Sequence, residues 1–99
     1  MDADSARGYV NAVLYGVQFD DDLGDESVWR LADSLIHQRH FPNPPELYAE
    51  AVKAVLRAGR IPPQSLVGQR HAEPELLGFL ERLDRHLDER RPWPRPLAG

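Results

Sequence analysis

Prolines and glycines divide this chain into segments in which apolar residues recur at helical spacing, and this division limits the folds open to it. The clearest segment follows Asn43, whose side chain suits the cap of a helix that begins at Pro44. Its apolar residues lie at positions i, i+3, i+4 and i+7, namely Tyr48, Ala51, Val52 and Val55. Gly59 suits a left-handed helix end, and Pro62-Pro63 prevents continuation. The pattern predicts a helix over about 44–58.

A second helix is predicted to begin near Asp25 and to end before Phe41, because the residue that precedes Pro42 avoids the helical conformation. Four apolar residues repeat the helical spacing, namely Val28, Leu31, Ala32 and Leu35. Arg39 and His40 are expected in the last turn, where positive charge suits the helix dipole.

A third strongly patterned helix is predicted from Pro74 to about Arg90 or Arg91. Its leucines are spaced by four, three and four residues, namely Leu76, Leu80, Leu83 and Leu87. This leucine seam is typical of a helix that packs against another helix. Between this helix and the one that ends near Gly59, the segment 64–70 is predicted to form a short helix or a turn.

The segment that precedes Asp20 fits two patterns. A helix that begins at about Ser5 would place four apolar residues on one face, namely Val10, Val13, Leu14 and Val17. A strand would instead alternate through Tyr9, Asn11, Val13, Tyr15, Val17 and Phe19. We favour the helix, because a lone strand has no partner and no second strong strand pattern occurs in the sequence.

Together these patterns predict an all-α protein, either a small four-helix bundle or an orthogonal helical array. A single helical domain is expected over 1–91, because 99 residues suit one hydrophobic core. An extended, proline-rich C-terminal tail is expected over 92–99, because alternate prolines remove backbone donors and fix φ. The pattern leaves open whether Trp29 and Trp93 lie in the core or at the surface.

Composition and charge narrow the classes of function. The absence of cysteine excludes disulfides, thiol catalysis and cysteine-type zinc sites. A net charge of −4 is unfavourable for binding nucleic acid. No secretory leader or membrane-length apolar stretch is visible, so we expect a cytoplasmic protein with no membrane partner. The excess of Arg over Lys and of Leu over Ile is typical of a GC-rich bacterial genome.

No pattern in the sequence predicts a catalytic residue, a cofactor or a metal site. An EF-hand loop that begins at Asp20 would need glycine at its sixth position and glutamate at its twelfth, which are Asp25 and Leu31. His37 and His40 lack the i, i+4 spacing and the intervening glutamate of the helical zinc motif. The serines lie in no nucleophile motif, and the glycines are too scattered to form a phosphate-binding loop.

We therefore expect a non-catalytic protein–protein interaction module of a bacterial cytoplasmic protein. An immunity-type or regulatory protein of this kind would use an acidic patch to meet a basic partner and to accelerate association with it. The candidate partner-binding residues combine the densest acidic run with the aromatic tail. They are Asp20, Asp21, Asp22, Asp25, Glu26, Trp93 and Arg95.

Two alternatives remain open from the sequence. The first is an accessory DNA-binding protein of helix-turn-helix type, in which the helix over 44–58 would enter the major groove. That helix carries Lys53 and Arg57 against Glu46 and Glu50, which disfavours contact with phosphate. The second is a structural homodimer that pairs through the leucine seam.

Overall fold

Five helices form within residues 1–94, the part of the chain that the computed structural model describes. They are α1 (Ala3–Tyr15), α2 (Asp25–Ile36), α3 (Pro45–Ala58), α4 (Pro63–Leu66) and α5 (Glu73–Glu89). No strand occurs in this part of the chain. The prediction of an all-α fold is confirmed, and the short helix expected over 64–70 is α4.

The first segment is a helix, which is the structure that we favour over a strand from the apolar spacing. One face of α1 is fully buried and consists of Ala6, Val10, Val13 and Leu14. The carboxylate of Asp2 accepts a 2.8 Å hydrogen bond from the Ser5 amide, which caps the first turn. Beyond α1 the chain continues through one tighter turn to Asp20, and this turn buries Val17 while leaving Tyr15 and Phe19 exposed.

Helix α3 begins one residue later than the sequence indicates, and Asn43 does not cap it. Pro44 precedes another proline, so it takes an extended conformation with ψ of 148°, and Pro45 becomes the first helical residue. The Asn43 amide instead lies 3.5 Å from the hydroxyl of Tyr48. Pro62 and Pro63 repeat this arrangement at the start of α4. The predicted end of α3 is confirmed, because Gly59 is left-handed with φ of 75°.

Helix α2 ends earlier than predicted, at Ile36, so Arg39 and His40 lie beyond its last turn. The chain leaves the helix through two left-handed residues, Gln38 with φ of 54° and His40 with φ of 67°. This turn carries Phe41 into the core, where its ring packs edge-on against Tyr48 at 5.3 Å between centroids. The end of α2 and the burial of Phe41 are therefore coupled.

Helix α3 lies at the centre of the fold and packs against α1, α2 and α5, while α4 packs against α1. All four residues of the leucine seam on α5 are fully buried inside this single chain. The seam is therefore intramolecular core, and the homodimer alternative loses the surface on which it depends. Among residues 1–94, no helix is both long enough and apolar enough to cross a membrane.

Candidate protein-binding site

The five acidic candidates lie together, in the connection between α1 and α2 and in the first turn of α2. We call Asp20, Asp21, Asp22, Asp25 and Glu26 the acidic surface. The last two are the first residues of α2, where negative charge is stabilised by the helix dipole. Within residues 1–94 this group shows three different situations: an anchored carboxylate, two exchangeable ion pairs, and two carboxylates that face no cation.

Asp20 is the anchored member of the acidic surface. Its carboxylate lies 2.9 Å from the Ser27 hydroxyl and forms an ion pair with Arg30 at 2.5 Å. Its backbone carbonyl lies 2.9 Å from Nε2 of His71, a buried side chain. A carbonyl oxygen can only accept, so Nε2 carries the hydrogen in this contact. These three contacts make Asp20 a structural residue that fixes the path of the loop.

Asp21 and Asp25 each pair with an arginine that is distant in sequence. Asp21 meets Arg70 at 2.9 Å, and Asp25 meets Arg82 at 3.4 Å. Both carboxylates are fully exposed to solvent, so each pair adds little to stability. Such pairs are open to exchange, because a cationic side chain from a partner can replace the arginine at small cost.

Asp22 and Glu26 meet no cation among residues 1–94, and they hold the uncompensated charge of the acidic surface. One carboxylate oxygen of Asp22 accepts a 3.0 Å hydrogen bond from the Gly24 amide, which tightens the turn into α2. The Asp22 carbonyl lies 3.3 Å from the Ser27 hydroxyl. Ser27 therefore supports both ends of the three-aspartate run.

Of the two remaining candidates, Trp93 alone lies within the described residues 1–94. Trp93 is only 8% exposed, its indole donates to the Leu87 carbonyl, and the Arg91 guanidinium stacks on its ring at 3.9 Å. Leu87 lies about 7.5 Å along α5 from Arg82, which pairs with Asp25, so burial and not distance separates Trp93 from the acidic surface. Trp93 thus belongs to the packed interior of the described chain. Arg95 lies outside the described residues.

Three strongly exposed hydrophobic residues were not among the candidates taken from the sequence. Tyr15, Phe19 and Val67 are 68%, 74% and 79% exposed. The helical spacing carries a signal for the first two. A helix that buries Val13 and Val17 turns Tyr15 and Phe19 away from the core, whereas a strand would have put all four on one face. No comparable pattern singles out Val67.

The chemistry of α3 disfavours the helix-turn-helix alternative. Half of its residues are buried against the other helices. Its lysine, Lys53, is held by Asp84 at 2.7 Å and Asp88 at 2.9 Å on α5. These hydrogen bonds raise the pKa of Lys53, and the Lys53 and Arg91 side chains lower the pKa of Asp88. Of the two cations on α3 that could face phosphate, Lys53 is therefore already neutralised within the fold.

Metal-binding geometry is likewise absent from the described part of the chain. Within residues 1–94, no group of three or more histidine, aspartate or glutamate side chains is placed to hold a metal ion. Asp33 and His37 do approach each other at 3.5 Å on α2. The guanidinium groups of Arg39 and Arg90 each lie 3.4 Å from the same Asp33 carboxylate, and they disfavour a divalent cation there.

Comparison of the sequence and the fold with protein-family models, with curated proteins and with solved structures found no match.

Proposed function

We propose that this chain is a non-catalytic protein-binding module of the bacterial cytoplasm, of immunity or regulatory type, and that its acidic surface binds a basic partner. The observation that carries the proposal is the pairing pattern of the five carboxylates. Three of them are matched by arginines of the fold, while Asp22 and Glu26 remain for a partner.

The anchoring of the loop supports this proposal. Ser27 and His71 fix the backbone around Asp20 and Asp22 before any partner arrives. A surface that is already ordered loses less conformational entropy on binding than a mobile loop does. Stable placement of the two uncompensated carboxylates therefore favours their use in recognition.

The charges also suit rapid association. Exposed carboxylates attract a basic partner over roughly 8–10 Å at physiological ionic strength, and this attraction raises the association rate more than it lowers the dissociation rate. On contact, arginines or lysines of the partner replace Arg70 at Asp21 and Arg82 at Asp25. Association is therefore expected to slow as salt is added.

The test compares the wild-type chain with an Asp22→Asn/Glu26→Gln double variant. Each is immobilised to capture partners from a bacterial lysate, and the association rate of a captured protein is then measured against ionic strength. We expect the double variant to associate about tenfold more slowly at low salt, with a flatter salt dependence.

A matched control is a Glu46→Gln/Glu50→Gln variant, which removes the same charge from exposed positions on α3. This control keeps the net charge of the chain equal to that of the test variant. Equal association rates and equal salt slopes in the two variants would show that overall charge, not the acidic surface, attracts the partner, and the proposal would then fail.

A further inference from the structure

The exposed hydrophobic residues Tyr15, Phe19 and Val67 form a second notable feature of the surface, which we call the apolar patch. All three are more than two-thirds exposed, although scattered apolar residues usually cover part of their area against neighbours. Aromatic residues of this kind are enriched where proteins bind each other, because one side chain contributes a large rigid contact area.

Side-chain contacts hold the two segments of the apolar patch together. The Ser65 hydroxyl lies 3.1 Å from the Asn11 side-chain oxygen, and the Gln69 amide donates to the Leu14 carbonyl at 3.2 Å. Val67 lies between Ser65 and Gln69 in the chain, and Tyr15 directly follows Leu14. The segment that carries Val67 is thereby fixed beside the end of α1.

The apolar patch also borders the acidic surface. Between Tyr15 and Phe19 the backbone makes i to i−3 hydrogen bonds, so Phe19 lies about 8 Å beyond Tyr15 along the axis and is turned about 120° from it. Phe19 is followed at once by Asp20, and the Arg70–Asp21 pair joins the Val67 segment to the same loop. Hydrophobic and anionic groups therefore lie side by side on one end of the molecule.

We propose that the apolar patch and the acidic surface form one interface, and that its occupant is an amphipathic, basic helix of the partner protein. The proposal rests on the protein-binding function proposed above and deepens it. Complementarity of charge selects the partner: its apolar stripe covers Tyr15, Phe19 and Val67, and lysines or arginines beside that stripe reach Asp22 and Glu26.

The geometry selects a helix over a strand as the occupant. A strand binds by extending the edge of a sheet, and the described residues contain no strand to extend. Tyr15 and Phe19 are separated by about 8 Å along the axis, which lies between the spacings of i, i+4 and i, i+7 side chains on an α-helix, about 6 Å and 10 Å. Side chains on one face of a helix can therefore reach both residues.

The experiment uses the intact chain and a fluorescein-labelled 18-residue amidated peptide that forms a leucine and lysine amphipathic helix. Fluorescence anisotropy measures its dissociation constant at two salt concentrations. We expect saturable binding that weakens at least tenfold in a Tyr15→Ser/Phe19→Ser variant and also weakens in Val67→Ser. A Trp29→Ser variant, which removes a 56% exposed aromatic side chain from α2, is expected to bind like the wild type.

Each other outcome overturns the inference in a recognisable way. No saturable binding of the lysine peptide, or equal binding of the same helix with glutamate in place of lysine, rejects a basic helix as the occupant. Loss of partner capture in Asp22→Asn/Glu26→Gln with full binding in Tyr15→Ser/Phe19→Ser keeps the proposed function and removes the apolar patch from it. A wild-type dimer in light scattering that becomes monomeric in Tyr15→Ser/Phe19→Ser assigns the patch to a second copy. Thermal unfolding of every variant confirms that these surface changes leave the fold intact.

Discussion

The indole Nε1 of Trp93 donates a 2.9 Å hydrogen bond to the backbone carbonyl of Leu87. Leu87 lies in the last turn of α5, and Trp93 lies four residues beyond the end of that helix. The last carbonyls of a helix have no partner inside the helix, so this bond and the Arg90 amide complete the end of α5. Trp93 is thereby part of the core that the helices share.

Replacement of Trp93 by alanine is expected to lower the free energy of unfolding by about 3–5 kcal/mol, because it leaves a large cavity beside α5. Trp93→Phe keeps most of the apolar contact and loses only the hydrogen bond, so its expected cost is about 1 kcal/mol plus a repacking term. Urea unfolding followed by circular dichroism measures both. Trp29→Ala, at the exposed tryptophan, serves as the control and is expected to lower the free energy of unfolding clearly less. Equal losses at Trp93 and Trp29 would contradict the packing described here.

Ser27→Ala is expected to lower the free energy of unfolding by about 1–2 kcal/mol, because the Asp20 carboxylate and the Asp22 carbonyl both lose their contact with a buried hydroxyl. Amide hydrogen exchange of residues 20–24 should accelerate at the same time. Ser34→Ala is the matched control in the same helix, and it should change stability by less than about 0.5 kcal/mol. Unchanged exchange in the Ser27 variant would show that the loop is ordered without this anchor.

The effect of a glycine-to-alanine substitution on stability is expected to depend, in sign, on the backbone conformation of the glycine. A Cβ atom added at Gly8 or Gly78 would meet no atom within 4 Å, and both residues lie inside helices, so alanine there should stabilise by about 0.5–1 kcal/mol. Gly59 offers the same open space at a φ of 75°. Gly59→Ala should therefore destabilise by about 1 kcal/mol or more. Thermal unfolding of the three variants compares their stabilities directly. If all three changes in stability had the same sign, backbone strain at Gly59 would be ruled out as the cause.

Lys53→Met is expected to remove a pH-dependent contribution to stability. The lowered pKa of Asp88 gives stability that is present above the ordinary aspartate pKa and is lost as pH falls through the folded-state pKa. The raised pKa of Lys53 gives stability that is present below the ordinary lysine pKa and is lost as pH rises through the folded-state pKa. The contact therefore stabilises the fold between about pH 4 and pH 10.

The expected loss in Lys53→Met at neutral pH is less than about 1 kcal/mol, because solvent screens partly exposed pairs. Carbon NMR titration of the Asp88 carboxyl should show its pKa rising toward the ordinary value, while Arg91 keeps part of the shift. The difference from the wild type should shrink as the pH falls through the lowered pKa of Asp88. Arg57→Met, which pairs with no carboxylate in the described chain, is the control. A pH-independent loss in Lys53→Met would indicate packing of the lysine chain instead.

The helices could be predicted because each buries one periodic face. Val10, Val13 and Leu14 on α1 and the leucine seam on α5 needed only helical spacing to be assigned to the core. The start of α3 was also within reach, since the rule that a residue before proline is extended applies to Pro44 as much as to Phe41. Applied at Pro44, the rule places the first helical residue of α3 at Pro45.

The end of α2 and the pairing of the acidic surface depend on contacts between distant segments. Glutamine does not mark a left-handed turn, so no local signal predicts the turn at Gln38, which accompanies the packing of Phe41 on Tyr48. Arg70 and Arg82 meet Asp21 and Asp25 across about half of the chain length. A local pattern contains neither relationship, so the sequence indicated an acidic run without showing which of its charges the fold cancels.

The cancellation of charge by distant arginines makes the electrostatic character of the acidic surface a property of the folded state. An unfolded chain presents five neighbouring carboxylates, whereas the folded part described, residues 1–94, leaves two of them without a cationic neighbour. A simple polycation therefore binds the unfolded ensemble more strongly and shifts the equilibrium toward it. A partner that recognises the folded loop shifts the equilibrium the other way, and the direction in which the melting temperature moves distinguishes nonspecific charge attraction from recognition.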